Sequence, residues 1–266
     1  MIKNIHKFEF LKDVQCWLLD MDGTIYLEDE LIEGAFEFIQ YLHHRQKRFL
    51  CITNNSSKSS TQYVEKLHKM GFSFIHEENI LTSGQATIAY VQRYHAGKKV
   101  YLLGTEELEK EFVDGGIKLS DNPDVVVIGF DTSLTYKKLW KACDLVRNGS
   151  PYIATHPDIN CPVQNGFMPD IGALIAFIQA STGRNPDVII GKPHALILQV
   201  IREEHKLELK KMVMVGDRLY TDIAMQKEGI KTILTLSGET KLKDLENSPF
   251  QPDLVIKNVG ELVGKF

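Results

Sequence analysis

No apolar stretch in this 266-residue chain approaches the roughly 20 residues that a membrane-spanning helix needs. The opening residues through Lys7 have no long apolar run behind them, which predicts that there is no signal peptide. Cysteine is scarce: Cys16, Cys51, Cys143 and Cys161 are widely spaced and form no CxxC pair, so they read as reduced, packed thiols of a cytoplasmic protein. Nor is there an excess of positive charge. The net charge of −4 and pI near 6.1 argue against nucleic acid or an anionic membrane surface as the main partner. Fixed-period repeats and low-complexity tracts are also missing. What remains is 43% hydrophobic and 25% charged, an ordinary globular composition that can bury a full core in one large domain or two modest ones.

The chain is organised around Leu18-Leu19-Asp20-Met21-Asp22-Gly23-Thr24. The run 14–19, broken only by Gln15, predicts a short buried strand. It ends at two aspartates one residue apart. Alternate residues at a strand end point the same way, and the loop after a strand of a parallel sheet is where such sheets bind ligands. Two carboxylates converging there repel by roughly 4 kcal/mol at about 4 Å and an effective dielectric of ~20. A divalent cation with oxygen ligands would compensate, and Mg²⁺ takes one or two carboxylates together with phosphate oxygens. The plainer reading is a strand capped by a turn that happens to hold two Asp.

Taken in order, the chain alternates strand and helix patterns. Residues 34–46 carry Ala35, Phe36, Phe38, Ile39 and Leu42 at helical spacing, and 48–53 read as a strand running into Asn54-Asn55-Ser56-Ser57. Ser59 or Ser60 caps a helix with Tyr63, Val64, Leu67 and Met70 inward and Gly71 as its stop, and a strand at 79–82 follows. This β-α-β-α-β opening predicts a parallel sheet with right-handed crossovers. Strands are predicted at 99–103, 124–130 and 151–155, with a helix over 135–148. A long polar loop, 156–170, precedes a helix over 171–182. A strand at 187–190, a helix at 194–205, a strand at 212–215, a helix from about 220 to 229, and strands at 232–236 and 254–256 complete the chain. These are too many βα units for one sheet. The reading is an α/β fold with a Rossmann-like parallel-sheet core over 1–82 and 184–266, and an inserted α/β domain over 83–183.

Four strand-end features line up: Asp20-Met21-Asp22-Gly23-Thr24, Thr53-Asn54-Asn55-Ser56, Gly191-Lys192-Pro193, and Gly216-Asp217 with Asp222 five residues on. In this order and rough spacing the sequence resembles the haloacid dehalogenase-like (HAD) hydrolase superfamily, and within it the NagD / p-nitrophenylphosphatase-like subfamily IIA, whose cap is a large inserted α/β domain. The cap segment Ala154-Thr155-His156-Pro157-Asp158 also looks like that group. The resemblance covers nearly the whole chain.

The resemblance implies a role for each residue. Asp20 would be the nucleophile and form an aspartyl-phosphate. Asp22 would protonate the leaving oxygen, later activate the hydrolytic water, and bind metal through its main-chain carbonyl. Thr53 would hold a phosphoryl oxygen through its hydroxyl, with the Asn54 backbone N–H alongside. Lys192 and Mg²⁺ would screen the charge of the phosphoryl group. Asp20, Asp22 and Asp217 would form the metal site, with Asp222 as a direct ligand or as a helper behind the ligands. In the cap, His156, Asp158 and Asn160 are the substrate-contact candidates, with Asp170 behind them. The residues alone leave plainer readings open. Thr53 to Ser56 can be only a turn and helix cap, Lys192 a solvated side chain, Asp222 a complement to a helix dipole, and Thr155 to Asp158 a structural loop tied by Asx turns.

The expected activity is Mg²⁺-dependent hydrolysis of a small phosphomonoester, such as a sugar phosphate, a nucleotide or p-nitrophenyl phosphate, by a monomer or homodimer. A phosphoacceptor signalling module shares the Asp, Thr and Lys around Mg²⁺, but it lacks an inserted cap and a residue placed like Asp22. A binding protein on the same fold would carry costly buried carboxylates without a use for them. A phosphomutase of the superfamily is a further alternative, although the mutases compared with it carry small helical caps.

Overall fold

The computed structural model describes residues 6–163 and 166–266. Residues 1–5, where the sequence predicts no leader, and residues 164–165 of the predicted 156–170 loop lie outside the described residues. The chain divides into two compact units. One comprises residues up to Thr53 together with Tyr63–Leu81 and Ile201–Phe266; the other comprises Asn54–Gln62 and Thr82–Val200.

After a 3-10 helix, His6–Asp13, comes β1 (Cys16–Asp20), whose five residues are all buried. A strand covered on both faces reads as an unbroken apolar run, as Cys16-Trp17-Leu18-Leu19 does. A small antiparallel hairpin of β2 (Tyr26–Leu27) and β3 (Glu30–Leu31) follows, too short to leave a sequence pattern. In α1 (Ala35–His44), Ala35, Phe38, Ile39 and Leu42 face inward at the i, i+3, i+4, i+7 spacing. Then come β4 (Arg48–Thr53), α2 (Ser60–Lys69) and β5 (Ile80–Thr82), the β-α-β-α-β opening that the sequence predicts.

The second stretch holds α3 (Ser83–Tyr94), β6 (Lys99–Leu103), α4 (Glu106–Asp114), β7 (Lys118–Leu119), β8 (Val125–Ile128), α5 (Tyr136–Arg147) and β9 (Tyr152–Ala154). The sequence reading lacks α3 and α4, yet both carry start signals. Thr82 accepts from the Gln85 N–H while the Gln85 side chain returns to the Thr82 N–H, and Thr105 accepts from the Leu108 N–H.

The predicted irregular loop over 156–170 contains an antiparallel hairpin, β10 (Asn160–Val163) and β11 (Gly166–Pro169), in register Asn160↔Pro169 and Cys161↔Met168. Pro162 and Pro169 argue against a strand by sequence. A two-stranded ribbon, however, consists only of edges, where a residue without an N–H is tolerated. Next come α6 (Ile171–Thr182), β12 (Val188–Ile189), α7 (Ala195–His205), β13 (Met212–Gly216), β14 (Lys231–Thr235) and β15 (Leu254–Ile256). The helix predicted over 220–229 is a 3-10 helix, Ile223–Glu228, closed by i→i+3 bonds such as Met225 N–H to the Asp222 carbonyl and ended by Gly229. A segment this short between a strand-end loop and a glycine favours the tighter winding.

The first unit is built on a six-stranded sheet in the order β15-β14-β13-β1-β4-β5, with the pairs from β15 through β4 parallel. This is the doubly wound order, which reverses direction between β1 and β13, and ligands bind at the carboxyl ends of strands at such a reversal. Trp17, Leu19, Phe38, Leu42, Phe49, Val213 and Ile233 are among the buried residues of its core. The second unit carries a parallel five-stranded sheet in the order β12-β9-β8-β6-β7, with its own core around Val126, Ile128, Leu139, Tyr152 and Ile178.

Candidate active site

β1 and β13 run parallel in register Leu19↔Val215, so both strands end together and release Asp20 and Gly216-Asp217 at the same edge. Asp222 enters from the loop ahead of the short 3-10 helix. Asp20, Asp217 and Asp222 are buried, and one carboxylate oxygen of each lies within 4.8 Å of the others. Asp222 is held by the Arg218 N–H, 3.1 Å from its Oδ2, and makes no side-chain cap to the helix it precedes. Asp217 Oδ2 accepts the Glu239 N–H at 2.6 Å. Burial, together with the charges of Asp20 and Asp222, pushes the Asp217 carboxyl well above the usual carboxylate range, against the smaller opposing pull of the Glu239 N–H and Arg218.

The backbone makes room for this cluster. Gly23 sits at φ +85, and a Cβ there would lie 2.5 Å from Asp217 Oδ2. A Cβ on Gly216 would collide with the Asp222 carboxylate. Ser237 donates from its hydroxyl to the Gly23 carbonyl at 2.8 Å and fixes the turn after β1.

These residues fit a hard divalent cation. The donors are all oxygens, and Asp217 Oδ1 is buried without a hydrogen-bond partner among the described residues. A buried acceptor with no donor is costly unless something else satisfies it. Asp22, half-buried two residues after Asp20, lies outside the three-carboxylate group and pairs through its backbone with Tyr26. Thr53 is the last residue of β4 and is buried.

The second unit holds Asn54, Lys192, His156, Asp158 and Asp170, all buried. The Asn54 amide clips the backbone of Lys192 on both sides: Nδ2 donates to the Lys192 carbonyl at 2.9 Å and Oδ1 accepts the Lys192 N–H at 2.8 Å. Nδ2 also donates to Asp158 Oδ1 at 3.0 Å. His156 Nε2 lies 3.0 Å from Asp170 Oδ1, and Asp170 caps α6 through the Ile171 N–H at 2.6 Å. Asn160, the first residue of β10, is exposed. Lys192 is buried, so it is not the solvated side chain of the plainer reading.

The structure thus gathers Asp20, Asp217 and Asp222 in one unit and Asn54, Lys192, His156, Asp158 and Asp170 in the other. Sequence reasoning missed Ser83, Ser237 and the Glu239 N–H. Serines and backbone amides leave no motif, and only the chain's return past β14 reveals two of them.

Comparison with known proteins follows the same lines. A family model described as haloacid dehalogenase-like hydrolase matches residues 17–118, and a second, described as HAD-hydrolase-like, matches 189–262. An acid sugar phosphatase of Staphylococcus epidermidis is 36% identical over 258 residues, spanning 96% of this chain and 99% of that protein. The crystal structure of a 4-nitrophenylphosphatase from Thermotoga maritima superposes with a TM-score of 0.92 at 47% identity, covering 95% of this chain and 97% of its own. NagD from E. coli K-12 superposes with a TM-score of 0.87 at 31% identity, covering 95% and 99%.

Proposed function

The chain belongs to the haloacid dehalogenase-like hydrolase family, in its NagD and p-nitrophenylphosphatase-like subfamily IIA, and from that premise we propose that it is a Mg²⁺-dependent phosphatase of small phosphomonoesters. The observation that carries the reading is the trio of carboxylates gathered at and just beyond the β1 and β13 strand ends, with Asp217 Oδ1 unpartnered among the described residues. Sugar phosphates, nucleotides and p-nitrophenyl phosphate are the substrate types to test. The names of the similar acid sugar phosphatase and 4-nitrophenylphosphatase support the first and last of these.

Asp20 and Asp217, with Asp222 beside them and the Asp22 main-chain carbonyl, would hold the cation. Bound there, Mg²⁺ would neutralise the converging carboxylates and the negative charge of the phosphoryl group. The chain's own residues do the rest. A carboxylate oxygen of Asp20 attacks phosphorus, the ester P–O bond breaks, and the leaving oxygen takes a proton from Asp22. Water then attacks the phosphorus of the aspartyl-phosphate and gives its proton to Asp22, and Asp20 is released with inorganic phosphate. The Thr53 hydroxyl and the Asn54 N–H hold phosphoryl oxygens, and Lys192 supplies a positive charge. In this reading residues 1–82 and 184–266 form the catalytic core, and 83–183 form a cap that selects the substrate. The protein works in the cytoplasm as a monomer or homodimer, with no nucleic acid partner. None of the described helices is long and apolar enough to cross a membrane.

Hydrolysis of p-nitrophenyl phosphate and of a hexose phosphate by the wild type and Asp20→Asn, each with Mg²⁺ and with EDTA, tests this. Turnover by the wild type with Mg²⁺ alone is expected. Full activity in Asp20→Asn would overturn the mechanism.

A further inference from the structure

His156, Asp158 and Asp170 are buried beside Asn54 and Lys192 in the second unit. Both ring nitrogens of His156 and one carboxylate oxygen of each aspartate are engaged inside the protein. His156 Nε2 faces Asp170 Oδ1, and Asp158 Oδ1 accepts from Asn54. The same engagement weighs against a second metal site, although the three residues lie within 4.8 Å of one another. A metal would have to displace a hydrogen bond at each of these atoms.

We infer that Asp158, braced by the His156–Asp170 pair, is a positioning residue: it locks the Asn54 amide and so presets the Lys192 backbone for phosphoryl binding. The inference rests on the reading of Asn54 and Lys192 as phosphate-binding residues.

The Asn54 side chain meets Lys192 as a neighbouring strand would, one donor and one acceptor against one carbonyl and one N–H. Rotating that amide by half a turn would set oxygen against oxygen and N–H against N–H. What selects the productive orientation is the second Nδ2 hydrogen, which goes to Asp158 Oδ1. An ionised carboxylate only accepts, so it rejects the rotated amide.

Asp158 is itself fixed. Its carbonyl accepts the Gly172 N–H at 2.7 Å in the first turn of α6, and a Cβ on Gly172 would lie 2.9 Å from that carbonyl. The same helix start is pinned by Asp170, whose Oδ1 faces His156. On its other side, His156 Nδ1 lies 3.2 Å from Thr155 Oγ1 and 3.4 Å from Ser83 Oγ. Ser83 donates to the Asn54 carbonyl at 2.5 Å. Asn54 is therefore held at its carbonyl by Ser83 and at its amide by Asp158 and Lys192. Gly191 lets this packing close, because a Cβ there would lie 2.5 Å from Asn54 Oδ1 and 2.8 Å from His156 Cβ.

A positioning residue and a substrate contact differ in what they discriminate. Phosphoryl positioning affects every ester alike and inorganic phosphate too, whereas a substrate contact depends on the leaving group. The experiment compares wild type, Asp158→Ala and Asp158→Asn. It measures kcat/KM for p-nitrophenyl phosphate, a hexose phosphate and a nucleoside monophosphate, and competitive inhibition by inorganic phosphate. Asp158→Ala is expected to lower kcat/KM by about 10–100-fold, by the same factor for all three esters, and to weaken phosphate inhibition. Asp158→Asn keeps an acceptor for Nδ2 and is expected to recover most of the loss.

Unchanged kinetics in Asp158→Ala would overturn the inference. So would losses that differ tenfold among the esters while phosphate inhibition stays intact. If Asp158→Ala does not fold, Asp158→Ser carries the same expectations, because its hydroxyl is too short to reach Asn54. A wild type that hydrolyses none of the three esters would overturn the phosphatase reading itself, and that is visible before any variant is compared.

Discussion

Gly23 shows how narrowly single residues define the site. Its φ of +85 belongs to the left-handed region, where a side chain costs about 1–2 kcal/mol, and the space beside it is filled by Asp217. Gly23→Ala is expected to destabilise the protein by roughly that amount or more and to lower turnover at least tenfold by displacing Asp217; urea unfolding and p-nitrophenyl phosphate hydrolysis measure the two effects. An alanine variant with wild-type kinetics would show that the turn tolerates the shift.

The cysteines make a second prediction at this scale. Burial pushes the Cys16 and Cys51 thiols up to about 12, in Cys51 with help from the charge of Asp20. Both thiols stay protonated in the folded protein at ordinary pH. The stability this contributes is full below the unfolded thiol's ordinary value and is lost as pH rises toward 12. Iodoacetamide at pH 8 is expected to leave Cys16 and Cys51 unmodified in the native protein while half-buried Cys161 reacts, and peptide mapping reads the sites. Modification of Cys51 before unfolding would contradict the burial argument.

Among the elements, the helices of the second unit stand on their caps. Thr82 closes a reciprocal box with Gln85 at the start of α3 and is fully buried. Thr82→Ala is expected to cost about 1 kcal/mol, as the loss of such a cap does elsewhere, and a lowered urea midpoint with an unchanged slope would report it. Element legibility followed chemistry. The parallel strands could be read because Cys16-Trp17-Leu18-Leu19 and Val125-Val126-Val127-Ile128 are buried on both faces and leave continuous apolar runs. The β10–β11 hairpin could not, because its prolines and glycine spell a loop, and the paired Cys161 and Met168 that pack against the core of the second unit are too few to set a period. The α4 segment, rich in glutamate, buries only Leu108 and Phe112, too few to set a period. The site followed the same rule. Asp20 and Asp217 stand at strand ends in motifs and Asp222 follows five residues on, whereas the enclosure of His156 and Asp158 depends on α6 and on Asn54, more than 100 positions away from Asp158 in the chain.

At the scale of the whole molecule, the strand order of the first unit decides where negative charge collects. The sheet reverses between β1 and β13, so two aspartates leave adjacent strand ends and a third closes on them. At separations within 4.8 Å, each ionised pair repels by roughly 3–4 kcal/mol at an effective dielectric of ~20. Without a cation the fold carries this strain, and burial together with it raises the Asp217 carboxyl above the usual carboxylate range. A cation that binds only the folded state adds stability by mass action, about 2.7 kcal/mol at a hundredfold excess over its dissociation constant. For a chain of this size that corresponds to a rise in Tm of roughly 5–10 °C. Wild-type protein is therefore expected to melt higher in Mg²⁺ than in EDTA. Asp217→Asn removes one charge from the cluster along with a ligand. In EDTA it is expected to melt at or above the wild type, and Mg²⁺ is expected to leave it unmoved. Calorimetry of both proteins in both buffers separates the effects. An equal Mg²⁺ shift in wild type and Asp217→Asn would place the cation elsewhere, and a lower melting point for Asp217→Asn in EDTA would mean that its carboxylate stabilises the fold by itself.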